Sequence, residues 1–98
     1  MTKIKKQLEK IKKEKRMGLM THVVIGYPSL HATISIVKTM EKAGVDFLEL
    51  QIPFSDPIAD GPTIMKACDT SLKLGTNVAD CFSVMGALTK KVSIPLLF

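Results

Sequence analysis

The strongest constraint on the fold is an alternation. Short apolar, β-rich runs at residues 20–25, 45–52 and 92–98 are separated by segments whose apolar residues recur at helical spacing. The order helix, strand, helix, strand, helices, strand implies parallel βαβ units. Ile4, Leu8 and Ile11 fall at i, i+4 and i+7, so residues 2–14 read as an amphipathic helix. The first strand ends at the turn signal Gly26-Tyr27-Pro28-Ser29. Ser29 is placed to cap a helix reaching about residue 43, with Ile34, Val37 and Met40 on its buried stripe and Gly44 as its stop. After the second strand, Pro62 suits a first helical turn, Ile64, Cys68 and Leu72 line one face, and Gly75 ends the element. Asn77 is placed to cap a further helix with Cys81, Phe82, Met85 and Leu88 as its apolar stripe, and Pro95 lies in the third strand.

A parallel sheet must be covered on both faces, and a closed eight-stranded α/β barrel takes roughly 250 residues. A chain of 98 residues offers three strands at most. The expectation is therefore the N-terminal part of something larger, with residues 1–98 as part of a single domain. No internal repeat or linker marks a second one.

Charge narrows the function. The net charge is +5, but residues 1–16 hold eight Lys or Arg against Glu9 and Glu14, so the remainder sums to −1. Those lysines read as the solvated face of the first helix. A nucleic-acid surface would spread its basic groups over the folded face and interleave aromatics, so none is expected. No apolar run approaches the roughly 20 residues of a membrane helix, and no apolar segment follows the N-terminal charges as in a signal peptide. A cytoplasmic location is the expectation. Cys68 and Cys81 form no CxxC pattern and read as free core thiols. No metal motif, Walker A loop or GxGxxG is present.

The chemistry-bearing stretch is Leu48-Glu-Leu-Gln-Ile-Pro-Phe-Ser-Asp-Pro-Ile-Ala-Asp-Gly-Pro62, where a buried strand gives way to a loop holding carboxylates. By strand alternation Phe47, Glu49 and Gln51 point one way, and Leu48, Leu50 and Ile52 the other. The leucine face needs helices packed on it. Glu49 then faces the opposite interior, where an unpaired buried carboxylate is costly and titrates high. Parallel α/β folds place catalytic groups at the C-terminal ends of their strands. The alternative is a Glu satisfied by Arg or Lys from a neighbouring strand. Asp60, before Gly61-Pro62, reads either as a helix cap or as a rim carboxylate accepting a ligand's hydrogen bond. Asp56 in Ser-Asp-Pro fits an Asx-type turn. His22 on the first strand reads as a core-edge histidine.

The run from Leu48 to Ile64 closely resembles the signature of the tryptophan synthase alpha subunit family. Gly26-Tyr27-Pro28-Ser29 is similar to that family's segment after its first strand, and Gly44-Val45-Asp46 to its entry into the second. The resemblance runs in order over essentially the whole chain. It implies an α/β fold, the N-terminal portion of a (β/α)8 TIM barrel with parallel strands and flanking helices. It implies a carbon–carbon lyase of tryptophan biosynthesis that cleaves indole-3-glycerol phosphate, by a retro-aldol reaction, to indole and glyceraldehyde 3-phosphate without metal or organic cofactor. Glu49 matches the family's general acid/base and Asp60 the acceptor of the indole N–H. His22 and Gln51 fall where substrate would sit. Pro53, Asp56 and Pro57 match the segment that meets a beta subunit, within a heterotetramer of two alpha and two beta subunits. Gln51 stands where the family usually has glycine, His22 where it has an aromatic or apolar residue, and Met65 where it has glutamine. The family's phosphate-holding loops come from later strands, so the 98 residues alone are expected not to cleave at a useful rate. A shortened, non-catalytic partner of a beta subunit is the alternative.

Overall fold

The computed structural model describes residues 2–98; Met1, counted above within the single domain, lies outside them. The elements are α1 (Lys3–Lys13), β1 (Met20–Val24), α2 (Leu30–Lys42), β2 (Phe47–Gln51), a 3-10 turn (Ile58–Asp60), α3 (Gly61–Lys73), α4 (Val78–Lys91) and β3 (Leu96–Leu97). The three strands form one parallel sheet in the order β1-β2-β3, as the alternation required.

The caps read from the sequence are made. The Ser29 hydroxyl accepts from the Ala32 N–H at 3.0 Å and starts α2. At α4, Asn77 Oδ1 accepts from the Asp80 N–H at 2.8 Å while Asp80 Oδ2 accepts from the Asn77 N–H at 3.1 Å, a reciprocal capping box.

Leu48 and Leu50 are fully buried, as strand alternation requires, under α2 and α4 through Val37, Cys81, Val84 and Leu88. Burial of one such leucine contributes about 1.5–3 kcal/mol, so this face is the main core. The other face meets α3 at its C-terminal end, where Val24 packs on Ile64, Ala67 and Cys68.

Two helical stripes differ from the expected ones. On α3 the packed set is Ile64, Ala67, Cys68 and Ser71, while Leu72 is exposed. Steps of four residues overshoot a 3.6-residue turn, so the progression 64, 68, 72 drifts off the face that 64, 67, 68, 71 keeps. On α4 the buried set is Cys81, Val84 and Leu88, with Met85 packed against it; Phe82, a third of a turn from Cys81, is exposed. On α1 only Ile11 is buried, and Ile4 and Leu8 stay exposed.

The third strand is shorter than the apolar run. The N–H groups of Ser93 and Ile94 donate to Glu41 Oε2 at 2.6 and 3.1 Å, and Pro95 has no N–H, so these residues are held by a side chain rather than by a strand ladder. Pairing begins with the Leu48 N–H donating to the Pro95 carbonyl at 3.1 Å.

The exit of β1 is clamped from both faces. Thr33 Oγ1 of α2 accepts from the Gly26 N–H at 2.9 Å, and Ser71 Oγ of α3 donates to the Ile25 carbonyl at 2.6 Å. Gly26 has φ of +87°, and a Cβ there would stand 2.3 Å from Ser71 Oγ and 2.5 Å from Thr76 Oγ1. Only glycine meets both demands.

Candidate active site

Register sets out the face that carries Glu49. His22 pairs with Glu49 and Val24 with Gln51, so His22, Glu49 and Gln51 share the face opposite the leucines. Glu49 is half-buried. Among the described residues it makes no ion pair, and the strands beside it, MTHVV and LL, carry no Lys or Arg. The alternative of a Glu neutralised by a neighbouring strand is therefore not realised here. Nor do these strands enclose it, because His22 and Met20 on the same face are exposed.

Asp60 occupies the position before α3, but its side chain makes no capping hydrogen bond. Its backbone is helical, with φ −85° and ψ −14°, rather than the extended form that aims a cap at the first turn. Asp60 Oδ2 instead accepts from Gln51 Nε2 at 3.2 Å. Gln51 also reaches His22, with Oε1 and Nε2 2.6 Å apart, and Cys68 Sγ at 3.6 Å. The structure thus joins His22, Gln51 and Asp60 in one polar chain over the face that carries Glu49.

Residues 52–57 lead from β2 to this rim. Pro53 and Pro57 are buried and Asp56 is exposed, so of these three only Asp56 offers its side chain to a partner. The bend is closed by the Ile58 N–H donating to the Asp56 main-chain carbonyl at 2.8 Å, so it is not the Asx turn the composition favoured. The apolar side chains displayed here are Phe54, 57% exposed, and Ile58, 79% exposed. Sequence reasoning passed over both, although an apolar residue inside a proline-bounded loop was the available signal.

A second carboxylate was also missed. Asp46, at the base of β2, is 3% exposed and accepts from both Arg16 Nη atoms at 2.8 Å and from the Leu19 N–H at 2.9 Å. The guanidinium, aided by the Leu19 N–H, holds its carboxyl below the usual carboxylate range. It lies at the N-terminal end of the strands, where its carbonyl also accepts from Gln7 Nε2 of α1 at 3.0 Å, and stands apart from the face that carries Glu49. Cys68 and Cys81 are free and buried, and burial pushes the Cys81 thiol up. Among the described residues no three His, Cys, Asp or Glu side chains are grouped to hold a metal ion.

A family model described as tryptophan synthase alpha chain matches residues 8–98. This chain belongs to the tryptophan synthase alpha chain family. It is 50% identical over 95 residues to the tryptophan synthase alpha chain of Desulfotalea psychrophila, covering 97% of this chain and 37% of that relative. With that of Syntrophotalea carbinolica it shares 49% over 85 residues, 87% of this chain and 34% of the relative. The solved alpha subunit from Legionella pneumophila superposes with a TM-score of 0.92 at 34% identity, over 98% of this chain and 37% of that one. The chain thus spans about a third of the length of the tryptophan synthase alpha relatives it matches. Its three parallel strands and flanking helices correspond to the N-terminal portion of that barrel.

Proposed function

We propose that this chain supplies the acid/base half of a tryptophan synthase alpha active site, cleaving indole-3-glycerol phosphate to indole and glyceraldehyde 3-phosphate. One observation carries the reading: Glu49 and Asp60, both at the C-terminal end of the parallel strands, are bound to no cation and no helix cap among the described residues. Carbon–carbon cleavage needs the indole C3 protonated, because the ring then accepts the bonding pair as the link to glycerol breaks. Glu49 is the proton donor, and a carboxylate at that site takes the glycerol hydroxyl proton as the aldehyde forms. Asp60 accepts from the indole N–H and stabilises the positive charge that grows on the ring.

The proposal assigns the phosphate to the later strands that the family resemblance implies, and the 98 residues alone are expected to show no useful turnover. A beta subunit is the proposed partner. Its contact is the bend after β2, through Asp56 and the exposed Phe54 and Ile58, over the buried supports Pro53 and Pro57. The proposed setting is cytoplasmic tryptophan biosynthesis.

The test is indole release from indole-3-glycerol phosphate by the full-length chain with its beta subunit. Glu49→Gln should lower kcat by about a hundredfold or more, as loss of a general acid does. Wild-type activity in that variant overturns the reading. A second reading, a non-catalytic alpha-like partner, is favoured by the Gln51 amide lying against Asp60. Tight binding of the beta subunit without any cleavage would select it.

A further inference from the structure

We propose that Gln51 is a positioning residue that ties His22 to Asp60 and leaves one Asp60 oxygen, Oδ1, as the acceptor for a planar aromatic N–H. The inference deepens the proposed function and rests on its assignment of Asp60.

Donor and acceptor capacity fixes the orientation of the amide. An ionised carboxylate only accepts, so the Gln51 group 3.2 Å from Asp60 Oδ2 is the amide NH2. The amide oxygen must then face His22, whose Nε2 lies 2.6 Å away. A carbonyl oxygen only accepts as well, so His22 Nε2 carries a proton, and in the neutral ring Nδ1 carries the lone pair. The charge state of Asp60 therefore fixes the amide orientation, and the amide fixes the histidine tautomer.

The relay also replaces a missing support. Asp60 makes no cap to α3, so the Gln51 amide is the hydrogen-bond donor that orients its carboxylate among the described residues. Gln51 is itself held at both ends of the amide and by Cys68, which is fully buried on α3. Asp60 Oδ1 makes no hydrogen bond among the described residues, so a ring N–H approaching the face meets an open acceptor there. A ring lacking that N–H leaves the oriented carboxylate without its ligand bond, and selectivity for the N–H follows.

Two measurements on the full-length protein test this. The first needs no variant: long-range proton–nitrogen NMR of the His22 ring, assigned with His22→Gln, should show the Nε2–H tautomer at neutral pH. An Nδ1–H tautomer overturns the relay. The second compares binding of indole and N-methylindole, which lacks the N–H, in wild type and Gln51→Met. The substitution should reduce the preference for indole by about tenfold, the size of one hydrogen bond to a charged group, and should release the tautomer bias of His22. An unchanged preference together with an unchanged tautomer overturns the proposal. Failure of the proposed function itself is read separately, as cleavage surviving in Glu49→Gln, and leaves the tautomer result standing.

Discussion

Single residues at the end of β1 illustrate how closely the site is built. Gly26 combines a positive φ with hydroxyls of Ser71 and Thr76 packed where a side chain would begin. Gly26→Ala is expected to destabilise the protein by about 2–4 kcal/mol, from overpacking plus left-handed backbone strain. Thermal or urea unfolding of the purified variant measures it, and a loss under half a kilocalorie contradicts the account. The turn at Gly26 was legible as a signal, but its packing was not, because Ser71 on α3 and Thr76 in the loop after it arrive 45 and 50 residues later. The alternation of Glu49 and Gln51 against Leu48 and Leu50 was fully legible, since a strand has a period of two. What the sequence could not say was that Asp60 turns to Gln51 rather than to its own helix. That choice depends on backbone angles at Asp60 which composition does not reveal.

At the level of elements, caps were readable and stripes only partly so. A cap is a local device of three or four residues, and Ser29 and Asn77 perform as their positions required. Asn77→Ala is expected to cost about 1 kcal/mol and to fray the first turn of α4, seen as faster amide exchange at Ala79 and Asp80. A stripe depends on where the helix is docked, so Leu72 and Phe82 were misplaced while their neighbours were not. β3 was overestimated because its first backbone donors are taken by Glu41, some fifty residues earlier. Glu41→Ala is expected to remove both charge-assisted bonds, costing about 1–3 kcal/mol. Exchange at the Ser93 and Ile94 amides should accelerate, and unaltered protection there would refute the role given to this carboxylate.

Over the whole molecule, one ion pair ties the segment between α1 and β1 to the base of β2. Arg16 and Asp46 are 30 residues apart, so no local pattern announced them. Because Asp46 titrates lower folded than unfolded, its contribution is complete above the ordinary aspartate value of about 4 and fades as pH falls through the folded value. Acid unfolding of wild type should therefore show a stability loss below that point that Asp46→Asn lacks, and parallel pH curves for the two proteins would exclude it. The sheet order leaves β1 and β3 each paired on one side only. Taken by themselves, the 98 residues are expected to self-associate at roughly micromolar to millimolar concentration, as open strand edges do. Light scattering that finds only monomer across that range would contradict this. The clamp on β1 has one more consequence. Thr33 and Ser71 belong to helices on opposite sides of the sheet, yet they grip the N–H and the carbonyl of a single peptide unit, that between Ile25 and Gly26. Swapping either alone shifts the strand that the other was fitted to, so the two replacements will not behave independently in a double-mutant cycle, and each helix constrains which changes its counterpart across the sheet can tolerate.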